Sequence, residues 1–342
     1  MQINWGLLSK YKLEIYGLSI LLIMLFHGIV TQIKGGLNSF LQPYMVIIKH
    51  GNCGVEIFLF LAGIFCFFSM TKKLSISAFY VRKLLRIVIP FFCITGSYWS
   101  MTEATLENFF FRITQLSFWF GNDHFAWFIN IILICYFLYP FIYKNILLSY
   151  SMEKSLLIIS FYVIFIYIGC FLLNHSSAHI WFKNVEIVLT RLPSFFIGCW
   201  VGQLVYKNVL IKEWIKCLSF LILLFGICIL SSKYSIVLNY RWIYLPISLS
   251  LSIWAAIILE VLNCRIFNKI LLLFGKLSLE LYLIHVVLLH ITFQFHLYSN
   301  NSIIRYYQYI IYCIVGALII SYILHPFFVK IQNYIYHRLY RE

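Results

Sequence analysis

Charge is what this chain has least of. Asp and Glu together number 11 in 342 residues, charged side chains of both signs make up 11%, and 63% of the chain is hydrophobic. With a mean hydropathy of +0.91, this composition excludes a water-soluble globular domain and places the chain in a bilayer. A glycine-rich phosphate loop, a low-complexity linker, an internal repeat and an appended soluble domain are all missing from the pattern. The expectation is a single membrane-embedded domain over residues 1–342, with its chemistry inside the bundle or at its two faces. Cys-x-x-Cys pairs are missing too. The ten cysteines are scattered, most in apolar runs such as those around Cys66, Cys93, Cys135, Cys170 and Cys199. They read as small core residues rather than disulfides, and no metal site is expected. The first apolar run is of spanning length and lacks a small-residue cleavage site, so it is expected to anchor the chain rather than to be removed.

A helix needs roughly 20 mostly apolar residues to cross about 30 Å of hydrocarbon. Ten stretches qualify, near 13–31, 53–70, 84–101, 125–143, 155–173, 187–206, 214–231, 242–261, 270–290 and 307–329. The expected fold is all-α, a polytopic transmembrane helix bundle of about ten spans. Positive loops stay in the cytoplasm. With both termini cytoplasmic, eighteen of the 26 lysines and arginines fall in inner segments. The net charge of +15 is therefore read as an orientation signal and an attraction to anionic membrane lipids, and nucleic acid is not an expected partner.

Against this background the ionisable residues inside the spans stand out, because hydrocarbon offers them no water. His27 lies fifteen residues past Lys12, roughly 22 Å into the core at 1.5 Å per residue. That puts His27 in the outer third of the membrane, and Glu56 is expected at a similar height, about one turn below the outer interface. Asp123, His124 and Arg191 open later spans at that level, and Glu280 and His285 approach it from the other direction. Seven such groups from five segments would each cost roughly a few kcal/mol in isolation, so they are expected to face one another or a water-filled cavity. Each has a plainer reading as well: His27 as a packing histidine, Glu56 as structural glue, Arg191 as a snorkelling side chain. At the opposite face Lys72, Lys73, Arg82, Lys83 and Arg86 cluster between the second and third spans. Arg82 and Arg86 are four apart on one helical face, a pattern suited to phosphates as well as to lipid contact. No role is assigned to the remaining histidines, among them His290 and His325.

An ordered series of segments resembles the integral-membrane acyltransferase 3 family, which includes bacterial glycan O-acetyltransferases. It begins with an apolar run ending in Phe26-His27. It continues through Gly54-Val55-Glu56-Ile57-Phe58 to Gly63, and through Phe79-Tyr80-Val81-Arg82-Lys83-Leu84-Leu85-Arg86-Ile87 to Pro90. Trp127-Phe128-Ile129, Arg191-Leu192-Pro193 and Ser278-Leu279-Glu280-Leu281-Tyr282-Leu283-Ile284-His285 complete it. Two positions depart from the family pattern. Tyr16 stands where many members carry Arg or Lys, and Ala62 replaces Ser before Gly63. Either another basic residue takes up the donor contact or the chain belongs to a divergent subfamily.

The resemblance implies that His27 is catalytic, that Glu56 supports it, and that Arg82 and Arg86, with Lys72 and Lys73 nearby, engage an acyl donor. Asp123, Trp127, Arg191, Glu280 and His285 would hold the acceptor or support the site. The implied reaction moves an acyl group from acyl-CoA, with acetyl-CoA the expected donor, to a hydroxyl of a glycan or lipid-linked sugar. No permanently bound cofactor is expected, and the expected location is the inner (plasma) membrane. A neutral His27 would take the proton of the attacking hydroxyl, or would itself carry the acyl group. A transporter or flippase of a lipid-linked sugar, and a glycan polymerase, are the competing classes. The first is weakened by the lack of an inverted repeat, the second by the lack of a large outer loop.

Overall fold

Backbone groups in hydrocarbon must find their partners within the chain, which leaves helices or closed barrels as spanning structures. The computed structural model describes residues 3–32, 48–72, 75–231 and 242–340. Its main helices are α1 (Lys12–Gln32), α2 (Gly54–Thr71), α3 (Ile76–Phe91), α4 (Phe128–Ile142), α5 (Met152–Asn174), α6 (His179–Leu189), α7 (Leu192–Tyr206), α8 (Glu213–Ser231), α9 (Tyr244–Leu262), α10 (Arg265–Lys276), α11 (Ser278–Gln294) and α12 (Gly316–Leu339). Among the described residues the β contact is one isolated bridge, Asn4 to Leu210.

Among the described residues seven helices are long and apolar enough to cross a membrane, and eight if α10 and α11, bent by 72° at their junction, form one broken span. These account for eight of the ten expected stretches. The other two, 13–31 and 84–101, are helical as well, in α1 and in α3 with its continuation to Thr102.

Local sequence explains where the helices start and bend. Ser75 and Ser151 cap α3 and α5, their hydroxyls accepting from the backbone N–H of Ala78 at 3.2 Å and of Lys154 at 3.4 Å. Pro90 and Pro140 lie inside α3 and α4. Each removes a donor and presses on the carbonyl four residues back. In both helices the ladder widens into a π turn just beyond, at Phe92–Gly96 and Tyr143–Leu147.

Two crossings hold the bundle together, and glycine makes both possible. A Cβ on Gly198 of α7 would collide with the Phe60 carbonyl of α2, and one on Gly63 with the Phe195 carbonyl. At the second crossing, a Cβ on Gly275 of α10 would strike the Leu13 carbonyl of α1, and one on Gly17 the Leu271 carbonyl. Lipid tails are as apolar as leucine, so helices in a membrane associate through such close backbone packing. The spanning window that contains α2 is accordingly 83% buried, whereas those of α5 and α8 are only 17% and 11% buried and lie at the periphery of the bundle. The cysteines behave as small packing residues at Cys66, Cys135, Cys170 and Cys199, which are buried; Cys93 is exposed and free.

Gly198→Val is expected to lower the thermal unfolding midpoint of the detergent-purified protein by several degrees, since overpacking costs about 1–3 kcal/mol or more. Gly169 on α5 has nothing within 4 Å of an added Cβ. Gly169→Ala should leave the midpoint unchanged or raise it, by up to about 1 kcal/mol of helix propensity.

Candidate active site

The loop before α4 builds the first chamber. Asp123 Oδ1 accepts from the Phe125 N–H at 2.9 Å, and Oδ2 from Arg112 Nη1 at 3.1 Å. Arg112 also reaches Glu103 Oε1 at 2.9 Å. The brace holds Ala126 at φ 53°, a left-handed conformation that a non-glycine residue adopts at a cost of about 1–3 kcal/mol. As a result Phe125 and Trp127 flank a cavity completed by His27, Asp123, His124, Tyr282 and His290.

In this histidine chamber His27 Nδ1 lies 2.8 Å from His285 Nε2. The ring centroids are 5.1 Å apart and the planes differ by 19°. With the nitrogens that close, the rings meet edge to edge in nearly one plane, as a lone pair in the ring plane requires. His285 is fully buried, and its Nδ1 lies 2.8 Å from the Leu281 carbonyl.

Beside the chamber, Arg191 Nε donates to Glu56 Oε1 at 2.7 Å. Both side chains are almost wholly buried, at 1% and 2% exposed. The guanidinium also lies 4.6 Å from the centre of the Trp127 ring. Arg191 directly precedes α7, where Pro193 in the first turn costs no helical hydrogen bond. The expectation that a carboxylate supports His27 therefore meets a different arrangement. Glu56 bonds to Arg191, and Asp123 spends its two oxygens on the Phe125 N–H and on Arg112. A buried guanidinium has no water to satisfy it and so captures the nearest acid.

A second chamber is basic. Arg82, Arg86 and Lys276 line it together with Glu280, His325 and Tyr336. Glu280 Oε1 accepts from His325 Nδ1 at 2.8 Å, and the Arg82 guanidinium sits 5.9 Å from the Tyr336 ring centre. Here the sequence expectation is corrected: Glu280 does not join the His27 layer. Counting depth along a straight helix ignored the bend at Leu277. Glu280 lies in the first turn of α11, and His285 is five residues on, roughly 7.5 Å further along the axis. Lys72 is exposed at the end of α2 and lines none of the chambers described here; Lys73 lies outside the described residues.

A mostly apolar cavity, here termed the channel, lies between the two chambers and shares wall residues with each. Its walls are Tyr16, Ile20, Ile23, Val55, Phe58, Ala62, Ile87, Phe128, Ile132 and Tyr136, with Arg86 and Leu279 shared with the basic chamber and Tyr282 shared with the histidine chamber. Tyr16 stacks on Phe58 with ring centres 5.0 Å apart. Arg86 is the cation that lines this channel. Tyr282, His325 and Tyr336 were missed in the sequence because an apolar or interfacial position gives no hint of which cavity it faces. Among the described residues no three His, Cys, Asp or Glu side chains are grouped as metal ligands. A hydroxyl entering the histidine chamber would meet an imidazole, and an anion entering the other would meet unneutralised cations.

A family model for an acyltransferase domain matches residues 17–325, from α1 to the histidine paired with Glu280. The chain belongs to the acyltransferase 3 family. No curated protein and no solved structure matches it.

Removing one member of the buried pair leaves the other charge uncompensated, at a cost of about 3–5 kcal/mol. Glu56→Ala or Arg191→Ala is expected to lower the thermal midpoint markedly, while the double replacement Glu56→Leu with Arg191→Met recovers most of the loss. Equal losses in the single and double variants would show that the two residues do not act as a pair.

Proposed function

We propose that this protein is a membrane O-acyltransferase that moves an acyl group, foremost acetyl, from cytoplasmic acyl-CoA to a hydroxyl of a cell-surface glycan such as O-antigen, capsule or exopolysaccharide. The observation that carries the reading is the shared walls of the three cavities. Arg86 belongs to both the basic chamber and the channel, and Tyr282 to both the channel and the histidine chamber. The CoA phosphates fit beside Arg82, Arg86 and Lys276, since guanidinium groups bind phosphate bidentately. The pantetheine arm then threads the apolar channel and presents its thioester to His27. Arg86 supplies the cation that Tyr16 lacks.

Ten spans in the inner membrane with both termini cytoplasmic complete the proposal. The excess of Lys and Arg in the inner segments supports it, and so does the placement of Arg82 and Arg86 away from His27. The acceptor reaches the histidine chamber from the opposite face, past the Asp123 loop and Trp127. Acyl-CoA is a co-substrate, released as CoA after each turnover.

The test is to incubate membranes holding the protein with labelled acetyl-CoA and glycan. Label should enter the glycan, and His27→Ala should reduce transfer at least about 100-fold, the lower range for a general acid–base group. A folded, membrane-inserted His27→Ala protein that transfers at the wild-type rate would sink the proposal. Glycan translocation without label would favour a flippase.

Two further variants separate the chambers. Arg86→Ala is expected to raise KM for acetyl-CoA about 10- to 100-fold, as lost hydrogen bonds to a charged group would. Ala62→Phe, which puts a ring into the channel, should lower kcat/KM while the protein still reaches the membrane.

A further inference from the structure

The geometry points to His285 as the positioning residue that decides which nitrogen of His27 takes the proton. The inference deepens the acyltransferase reading and rests on it for the role of His27. Leu281 C=O can only accept, so His285 Nδ1, 2.8 Å away, must carry a hydrogen. In the neutral ring His285 Nε2 is then a bare lone pair, and it faces His27 Nδ1 at 2.8 Å. His27 must therefore be protonated on Nδ1, which puts its lone pair on Nε2. A doubly protonated His285 would reverse the order. That form would place a charge on a fully buried ring whose nitrogens meet a carbonyl and another imidazole rather than a carboxylate. The nearly coplanar, edge-to-edge rings give this bond the alignment it needs.

The chemical step follows from that tautomer. His27 Nε2 takes the proton of the acceptor hydroxyl as its oxygen bonds to the thioester carbonyl carbon. The tetrahedral intermediate then expels the thiolate, the C–S bond breaks, and the proton on Nε2 passes to the departing sulfur. His27 returns to its starting form. Throughout, His27 keeps its Nδ1 hydrogen and donates it to His285 Nε2, which accepts from the imidazolium as a triad carboxylate would, though without a charge. The catalytic residue is therefore His27, and His285 acts through it.

The test uses full-length protein in detergent or nanodiscs, with His285→Gln and His285→Leu. The glutamine carbonyl can accept from His27 Nδ1–H in place of Nε2, whereas leucine cannot. His285→Leu is expected to lower kcat at least about 100-fold with KM for acetyl-CoA unchanged, and His285→Gln to stay within about tenfold of wild type. Histidine 15N NMR should show His27 protonated on Nδ1 in the wild type and in His285→Gln, and shifted to Nε2 in His285→Leu. Equal kcat in the two variants, or a wild-type His27 protonated on Nε2, overturns the inference. If the wild type transfers no acyl group at all, the acyltransferase reading fails, while the NMR result still decides the tautomer.

Discussion

The ion pair between Glu56 and Arg191 is the constraint on which the bundle depends. Two opposite charges removed from water gain little over two apolar side chains, but either one alone is prohibitive. The pair therefore admits one alignment of the segments that carry it. Glu56 stands seven residues before Gly63 on α2, and Arg191 seven residues before Gly198 at the head of α7. Seven residues are about two turns. The charges thus set the register two turns from the place where the glycine backbones touch, and a slip of one residue would break both contacts together. Because the same guanidinium lies against Trp127, that register extends to the wall of the histidine chamber.

The sequence made the helices readable because length and hydropathy are strong signals in a bilayer: all ten expected stretches are largely helical, and among the described residues eight of them fall in helices or a bent pair long and apolar enough to span. It also placed His27, Asp123, His124 and His285 in one layer, and in the structure the first three line one chamber while His285 stands behind His27. What it could not show is pairing. His27 and His285 are 258 positions apart, and nothing local says that one imidazole will meet the other rather than a carboxylate. Glu280 was misplaced for a different reason: the chain bends by 72° between α10 and α11, just after Gly275, within a run whose hydropathy reads as one continuous span. The basic cluster was legible as a group, but only the fold separates Arg82 and Arg86, which line a chamber, from Lys72, which does not.

Rigidity is concentrated on the side of the site where the acceptor is proposed to enter. Arg112 is held by Glu103 and Asp123, Asp123 holds the loop, and the loop keeps Ala126 in a conformation it would not adopt in isolation. Such strain persists only where surrounding contacts over-determine it. The proposed donor side is built otherwise. Its cations are exposed, and among the described residues Arg82 and Arg86 have no carboxylate partner, which leaves their charge available to a ligand.

The apolar waist between the chambers has an electrical consequence. A track that joins a cation-lined cavity to an imidazole pair would short-circuit an energised membrane if it filled with water, since each elementary charge crossing 100 mV releases about 2.3 kcal/mol. Ile20, Ile23, Val55, Ile87 and Ile132 line the stretch between, and narrow hydrophobic constrictions shed water. For the proposed transfer, such a waist would act as an insulator that passes an uncharged chain and stops an ion, so that two compartments could be joined chemically while staying apart electrically.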